Sequence, residues 1–587
     1  MEGYSEKTDI TFALANTLST EELRRVPELA AGFEFERETW ELIVKYQGNL
    51  KAYESESMQI EELIAGYAVV TTDRDGWIFL AGLREVEYIE KPRPVFSQSL
   101  TGQESACIIP VKKEPFGLTG RGVLAAVIDS SVDITNVHFR HPDGSTRILA
   151  LWDQNAVNEA KETQEIAIGR VYTSAEINAA IKGEMEIPAQ DISGHGTAVA
   201  GILAGSRTEV FEGIASECAL LVVKLRRNTG EPFSQSADIM RAITYCLTKA
   251  EEFGMPLVIN LSYGTVWGAH KGTSLLERFI NNASEIGKTC IVVGSGNEGN
   301  SGKHYRKKGA VQEKDRAELI VSTFDFGFGL HIFYPGAEQY QFSLDTPFGE
   351  KISFPLISGF YSTQGAGISV KAAISEATPY AAFAEVYIQV IPKEIYVPSG
   401  TWYLEINPLY AVTGDVDVYL SGIVSENSET RFVRPEKNLT LTIPSTAERV
   451  ITVGAYSAYN NAYAPFSGRG EPVTNGFYSA LKPDLLAPGV DVETVRNGGG
   501  YTKVSGTSFA APFVSGSAAL LMEWGIVKGN DPFLYGEKMK ALLQGSARVF
   551  DGFEETPNEK EGWGALCLAN AFRGSLVASI FYENEIG

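Results

Sequence analysis

The stretch VSGTSFAAPFVSGSAALLM, residues 504–522, contains four serines among small apolar residues, with one proline near its middle. Proline is tolerated in the first turn of a helix, because its missing N–H is no loss there. Pro512 therefore predicts that a helix begins close to Ser508, with the Ser508 hydroxyl at the positive end of the helix. The other serines are assigned to the approach loop or to the closely packed helix: Ser505, Ser515 and Ser517.

Two interpretations of Ser508 follow from this placement. Free backbone N–H groups at a helix start can stabilise an oxyanion, so Ser508 is a candidate nucleophile. The alternative is an ordinary N-cap serine. An N-cap needs neither the Ala-Ala-Pro that follows nor so many small residues beyond it, so the pattern favours the nucleophile.

Two further segments carry groups suited to the same chemistry. VLAAVID (123–129) is a continuous apolar strand typical of a parallel sheet, and it ends at Asp129. Active-site groups collect at that edge of open α/β sheets, although Asp129 could simply cap the next turn. His195 lies in DISGHGTAVAGILAG (191–205) and alone among the six histidines has glycine on both sides. A lone histidine is usually structural, but these glycines permit close approach of backbone and substrate.

Together, VIDSSVD, SGHGTAVAGILAG and SGTSFAAPFVSG resemble the subtilisin-like serine peptidases of family S8. That family has its triad in the order Asp, His, Ser. The resemblance extends to VINLSYG (258–264), VGSGNEG (293–299) and KPDLLAPG (482–489), and it covers roughly 118–302 and 445–546.

The resemblance implies a role for each matching residue. Ser508 is expected to attack the peptide carbonyl, His195 to act as general base and acid, and Asp129 to orient the imidazole. Asn297 is expected to donate its amide to the oxyanion. The substrate groove is expected to be lined by Leu261, Ser262, Tyr263, Gly264, Gly294, Ser295 and Gly296. One departure is Ser131, where the family commonly carries glycine, so the turn after Asp129 is expected to be tight.

Strand and helix patterns predict an α/β fold built on a doubly wound parallel sheet. CALLVVKL (218–225), PLVINLSYG (256–264) and KTCIVVGSGNEG (288–299) are apolar strands separated by helical segments 236–254 and 274–287. Residues 303–440 instead contain short alternating strands, which predict an inserted antiparallel β-sandwich or jelly roll.

The N-terminal region predicts a small α+β unit, in which 58–73 runs from a short helix into a strand. We therefore predict that the chain has four segments. They are a prodomain (1–98), a first part of the catalytic domain (99–302), an inserted β-domain (303–440) and a second part of the catalytic domain (441–587).

Further sequence motifs narrow the family resemblance to the Csp-type subtilisin-like proteases of clostridia. It rests on FGLTGRGVLAAVIDS (116–130), NVHFRHPDGSTRILALWDQ (136–154), the unit ending in VEYIEKP and the inserted β-rich segment. The resemblance implies that the prodomain is released by self-cleavage and stays bound non-covalently, with the cut in VFSQSLTG (95–102), after Gln98. A permanent structural domain is the alternative for 20–98. The resemblance also implies a protein substrate, the inactive precursor of a spore cortex-lytic enzyme.

Two rival functions stay open beside this one. A general intracellular subtilisin-like protease of broad specificity would share every motif. A non-catalytic scaffold would keep the fold and use the insertion as its working surface, but the intact set of catalytic residue types argues against it.

Composition narrows the possible partners and location. A formal charge of −23 over 587 residues argues against nucleic acid as a general partner. Neither a signal peptide nor an apolar run of about 18 residues is visible, so we expect a cytoplasmic chain with no membrane contact. The resemblance to the Csp-type proteases implies in addition that the chain is packaged in the spore. The five cysteines show no disulfide spacing and are predicted to be buried thiols in a reducing compartment.

We predict no cofactor and no metal. Many subtilisin-like enzymes bind calcium, and the acidic loop GDVDV (414–418) could do so, but such loops are more often solvated turns.

Overall fold

The computed structural model describes residues 7–25, 30, 32–92, 98–156, 168–227, 234–309, 311–379, 381–421, 429–472, 481–550, 552–553 and 555–572. The chain divides into two compact units, residues 1–97 and 98–587, and each is described by itself.

The first unit is a small α+β fold with five antiparallel strands in the order β1-β2-β4-β3, with β5 also paired to β2. Alternate residues of β2 enter its core, where Phe12 packs edge-on against Trp40 and Trp77. Its elements are α1 Ile10–Ala15, α2 Thr20–Arg25, β1 Phe33–Glu34, β2 Thr39–Tyr46, β3 Met58–Leu63, β4 Tyr67–Thr72, α3 Arg74–Gly82 and β5 Val86–Glu90.

The expected short helix at the start of 58–73 is wrong. Residues Met58–Leu63 form strand β3, which pairs antiparallel with β4. Met58 and Ile60 are buried while Gln59 and Glu61 are exposed, so this stretch has the period of two that a half-buried strand requires.

The second unit is built on a mainly parallel nine-stranded sheet in the order β24-β23-β11-β10-β6-β9-β7-β8, with β25 paired to β23. The elements before the insertion are α4 Gln98–Ser105, α5 Ile109–Lys112, β6 Leu124–Asp129, β7 Ile148–Asp153, β8 Arg170–Thr173, α6 Ser174–Ile181, α7 His195–Ala204, β9 Ala219–Lys224, α8 Ser236–Phe253, β10 Leu257–Leu261, α9 Leu275–Ala283 and β11 Thr289–Gly294.

Residues 304–432 form two antiparallel sheets around one apolar core. One sheet has the order β12-β21-β14-β19-β18-β17 and the other β16-β15-β20-β13-β22, and Trp402 is fully buried between them. The strands are β12 His304–Lys307, β13 Asp315–Val321, β14 Phe328–Pro335, β15 Gln339–Asp345, β16 Lys351–Ser353, β17 Gly359–Gly365, β18 Ile368–Ser375, β19 Phe383–Pro392, β20 Gly400–Tyr410, β21 Val416–Ser421 and β22 Arg431–Phe432.

After the insertion the chain returns to the large sheet and closes the unit. The remaining elements are β23 Ile451–Ser457, β24 Ala462–Tyr463, β25 Leu485–Pro488, β26 Val492–Val495, β27 Tyr501–Val504, α10 Thr507–Met522, a π-helical turn Glu523–Val527 and α11 Gly536–Ser546.

Helices cover both faces of the large sheet. Along β6, Ala125 and Val127 join the core formed with α7 and α10, whereas Leu124 and Ile128 join the core formed with α8 and α9. The run Thr507–Val527 is apolar and long enough to cross a membrane by composition, but 83% of its most apolar window is buried in this unit. This helix therefore serves as a core element.

The prediction of five free thiols is wrong for two cysteines. Cys107 and Cys567 form a disulfide with their Cα atoms 4.7 Å apart, while Cys218, Cys246 and Cys290 are free and buried. The two bonded cysteines are separated by 460 positions in sequence, so no local spacing could reveal the pair.

Candidate active site

Asp129 and His195 meet at the carboxyl edge of the large sheet. Asp129 is the last residue of β6, and His195 is the first residue of α7. Nδ1 of His195 donates to Oδ1 of Asp129 at 2.8 Å. Gly194 precedes the helix with a φ of 73°, a left-handed conformation that glycine adopts without strain. A Cβ at Gly196 would lie 2.0 Å from the carbonyl oxygen of Ser131, so the close approach of helix and strand requires glycine there.

The pKa of His195 is raised above its ordinary value. Burial of the ring lowers the pKa, but the charge and hydrogen bond of Asp129 raise it, and Asp191 raises it further. Arg227 opposes them. The surrounding carboxylates thus favour the imidazolium, the form that a general base reaches after it takes a proton.

Ser508 is the second residue of α10, close to the position predicted from Pro512. The ring of the next residue, Phe509, lies 5.2 Å from the ring of His195. Oγ of Ser508 donates to the carbonyl oxygen of Ser262 at 3.4 Å. Within the described part of the chain, no hydrogen bond joins Ser508 to His195.

Pro512 lies in the second turn of α10, one turn later than the first-turn position expected from the sequence. Because proline has no N–H, the carbonyl of Ser508, four residues earlier, loses its helical partner. Oγ of Ser262 donates to that carbonyl at 2.9 Å instead. This replacement hydrogen bond connects the start of α10 to Ser262 in the predicted substrate groove.

A chain of hydrogen bonds supports Ser262 from the core. Nδ2 of Asn260 donates to Oγ of Ser262 at 3.0 Å, and Oγ of Ser515 donates to Oδ1 of Asn260 at 2.8 Å. Ser515 therefore has a polar role beyond the close packing expected of it. Asn260 stands inside the quoted motif VINLSYG, but its contact depends on α10, which lies far along the chain.

Asn297 is oriented by the residue before Ser508. Its Oδ1 accepts from the backbone N–H of Thr507 at 3.0 Å and from Oγ1 of Thr507 at 3.2 Å. These bonds occupy the carbonyl side of the amide, so Nδ2 is the remaining donor. The N–H of Ser508 lies in the first turn of α10, where the helix offers it no acceptor. Nδ2 and this N–H are two donors at one helix start.

The predicted groove residues lie at the ends of two neighbouring strands, β10 and β11. Thr442, which sequence reasoning missed, lies between these two edges. A Cβ at Gly264 would be 2.4 Å from Oγ1 of Thr442, and one at Gly296 would be 2.5 Å from it. Both edges therefore need glycine to accommodate this side chain. The residues at the end of β10 are Leu261, Ser262, Tyr263 and Gly264, and those at the end of β11 are Gly294, Ser295 and Gly296.

Ser131 adopts a φ of 128°, a conformation that favours glycine. Its buried Oγ donates to the carbonyl oxygen of Ala189 at 2.6 Å. This hydrogen bond gives a reason for serine at the position where the family commonly has glycine.

The remaining predictions concern the cleavage region and the acidic loop. Gln98 is the first residue of α4, and residues 93–97 of the expected cleavage region lie outside the described residues. In the acidic loop, Asp415 accepts from Nη2 of Arg306 at 2.9 Å and Asp417 contacts Nε2 of His304 at 3.0 Å. No group of three or more His, Cys, Asp or Glu suited to a metal occurs among the described residues.

Comparison with known families matches the subtilase family, peptidase S8, over residues 120–325 and 425–564. The chain therefore belongs to the subtilase family of peptidases. The Csp protease B prodomain matches residues 6–93. Both resemblances drawn from the sequence are confirmed. The subtilase match is interrupted between residues 325 and 425, inside the two-sheet region.

Among solved structures, the Clostridium perfringens CspB protease is similar, with 33% identity and a TM-score of 0.72. The similarity covers 80% of this chain and 96% of that one. The PIII-type proteinase of Lactococcus lactis subsp. cremoris is 26% identical over 72% of this chain, but only 23% of its own length is covered. Serine protease AprX of Bacillus subtilis is 34% identical over 23% of this chain and 32% of its own length. The chain thus spans between 23% and 32% of the length of these curated relatives.

Proposed function

We propose that Asp129, His195 and Ser508 form a catalytic triad that hydrolyses peptide bonds. The observation that carries the proposal is the 2.8 Å hydrogen bond from His195 to the buried Asp129, beside helix α10, whose second residue is Ser508. Rotation of the Ser508 hydroxyl away from the Ser262 carbonyl would release its proton for Nε2 of His195, which has no hydrogen-bond partner among the residues that the structure describes. Such catalytic hydrogen bonds often tighten only when substrate binds.

The proposed reaction follows from these groups. Ser508 Oγ attacks the peptide carbonyl carbon while His195 Nε2 takes the hydroxyl proton. Asn297 Nδ2 and the Ser508 N–H stabilise the oxyanion. His195 then protonates the leaving amine as the C–N bond breaks, which leaves an acyl-enzyme that water hydrolyses. Asp129 holds Nδ1 protonated throughout, and the sequence of steps requires no cofactor.

The triad is tested with Ser508→Ala and the control Ser505→Ala in the full-length chain. Ser505 is exposed in the same stretch, and its Oγ accepts from the backbone N–H of Asp491. We expect a fluorophosphonate to label the wild type and Ser505→Ala but not Ser508→Ala. Absence of labelling in the wild type would overturn the triad and favour the scaffold alternative.

We also propose that the prodomain is removed by self-cleavage near residue 98 and stays bound to the second unit. The match of the Csp protease B prodomain to 6–93 supports this proposal, since it ends just before that region. We expect wild-type protein to separate into two bands on denaturing gels yet elute as one complex, whereas Ser508→Ala stays intact. A wild type that is labelled but uncut would remove the self-processing proposal alone.

We further propose that the substrate is a precursor protein, the cortex-lytic pro-hydrolase of a spore, and that the enzyme is made in the cytoplasm and packaged in the spore. Similarity to the Clostridium perfringens CspB protease supports this choice of substrate. Separately, we propose that the inserted β-domain has jelly-roll connectivity. Incubation with the pro-hydrolase should give one discrete product, while unfolded casein stays largely uncut. Extensive digestion of casein would favour the general-protease alternative.

A further inference from the structure

A second buried carboxylate, that of Asp191, supports the turn that carries His195. Its side chain is 1% exposed and accepts hydrogen bonds through both oxygens. Oδ2 accepts from the backbone N–H and Oγ1 of Thr197 at 2.8 and 2.7 Å. Oδ1 accepts from the N–H of Gly194 at 3.0 Å and from Oγ of Ser130 at 2.8 Å. A carboxylate placed against the N–H groups at a helix start is stabilised by the helix dipole.

Two serine hydroxyls extend this network to the reacting groups. Oγ of Ser193 lies 3.1 Å from Oδ1 of Asp191 and accepts from the backbone N–H of His195 at 3.2 Å. Oγ of Ser130 lies between the two carboxylates, 2.8 Å from Asp191 and 3.2 Å from Asp129. It also accepts from the N–H of Gly196 at 3.1 Å. The backbone N–H groups of His195 and Gly196 are therefore each linked to Asp191 through one serine hydroxyl, that of Ser193 for His195 and that of Ser130 for Gly196.

Charged and titratable groups from four parts of the fold face the imidazole. Asp129 approaches from β6 and Asp191 from the turn before α7. Arg227 follows β9, and its Nη2 donates to the hydroxyl of Tyr263, whose ring lies edge-on to His195 with centroids 6.3 Å apart. The two carboxylates raise the pKa of His195 and the guanidinium lowers it. Asp191 is thus one of two negative charges acting on the ring.

We propose that Asp191 is a positioning residue that holds the His195 turn against β6 and places a second negative charge beside the imidazole. The proposal rests on the proposed triad, because it assigns Asp191 an effect on the base of that triad. It gives Asp191 two separable effects, one on the placement of the ring and one on its charge.

The test is the rate of labelling by a fluorophosphonate, measured from about pH 5 to about pH 9, in full-length wild type and Asp191→Asn. Labelling requires a neutral His195, so its midpoint follows the pKa of this residue. Removing a negative charge disfavours the imidazolium, and the midpoint should therefore move to lower pH. Asn keeps one acceptor oxygen and places an NH₂ donor where the other accepted, which loosens the turn, so the plateau rate should fall by about 10- to 100-fold.

Asp133→Asn is the matched charge control. Asp133 lies in the neighbouring turn, but its carboxylate accepts from Thr135 and Gly498 rather than from the turn of His195. We expect this variant to keep the wild-type midpoint. A folded Asp191→Asn with an unchanged midpoint, or an equal shift in Asp133→Asn, overturns the proposal.

Ser193→Ala keeps the test decisive if Asp191→Asn does not fold. Ser193 is exposed, so its loss should leave the fold intact, and the charge of Asp191 is kept. We expect a lower plateau rate with the wild-type midpoint; an unchanged plateau overturns the positioning role. A wild type that is not labelled at all contradicts the proposed triad itself, which separates the two failures.

Discussion

The most informative single residue outside the predicted set is Thr442. Its side chain fills the space beside both Gly264 and Gly296, one on each of the two groove edges. Its backbone N–H donates to the carbonyl of Ser295 at 3.0 Å, which fixes its place against the second edge. The size of this one side chain should therefore limit which substrate residue enters between the strands.

Thr442→Gly should broaden the groove and favour peptides with a larger residue before the scissile bond. Removing a few side-chain atoms from such a pocket is expected to change the ratio of kcat/KM for large and small residues by about 10-fold or more. Peptides differing only at that residue provide the measurement. Thr442→Ser, which loses only the methyl group, should give an intermediate ratio. Equal ratios in all three proteins would show that Thr442 does not border the pocket.

At the scale of elements, the start of α10 depends on a residue at the end of β10. The hydroxyl of Ser262 supplies the hydrogen bond that a helical N–H would otherwise donate to the Ser508 carbonyl. Pro512 removes the partner of the Ser508 carbonyl, and Ser262 supplies another. Ser508 is half-buried, and a carbonyl shielded from water and left without a donor costs roughly 1–3 kcal/mol, so Pro512 and Ser262 should be energetically coupled.

Ser262→Ala should lower the free energy of unfolding by about 1–3 kcal/mol, because the Ser508 carbonyl loses its donor. Adding Pro512→Ala restores a backbone N–H at the helical position, so the double variant should recover about 1 kcal/mol of that loss. Chemical denaturation of all four combinations, each carrying Ser508→Ala to prevent self-digestion, measures the coupling. Additive effects would contradict this account of the proline.

Strand and helix positions near the site could be predicted because their signals are local. Asp129 ends an apolar strand, His195 stands in a glycine frame, and Ser508 precedes Ala-Ala-Pro, each within about ten residues. Thr442 and Asn260 act through contacts with segments distant in sequence, which no local pattern encodes. The stretch 58–63 was misassigned because Ile60, Leu63 and Ile64 stand at helical spacing, and only the pairing with β4 shows that it is a strand.

At the scale of the whole molecule, the disulfide joins the beginning of the second unit to its end. Cys107 follows α4, and the backbone carbonyls of Ala106 and Cys107 accept from Leu568 and Ala569. The pair therefore fastens two chain segments that also meet through backbone hydrogen bonds.

Replacing both Cys107 and Cys567 by serine should lower the free energy of unfolding by about 2–4 kcal/mol, because the unfolded chain gains freedom. Reductant should destabilise the wild type by a similar amount and leave the double variant unchanged. Thiol titration of the denatured wild type should find three thiols before reduction and five after it. Insensitivity of the wild type to reductant would contradict a stabilising bond.

The same bond closes the polypeptide into a covalent ring between positions 107 and 567. A single cut inside the ring opens the loop without releasing a fragment, whereas a cut near residue 98 lies outside it and frees the upstream piece. Gels run with and without reductant therefore distinguish the two events. The proposed cut near residue 98 would yield a free fragment in both lanes, while a cut inside the ring would release a fragment only after reduction.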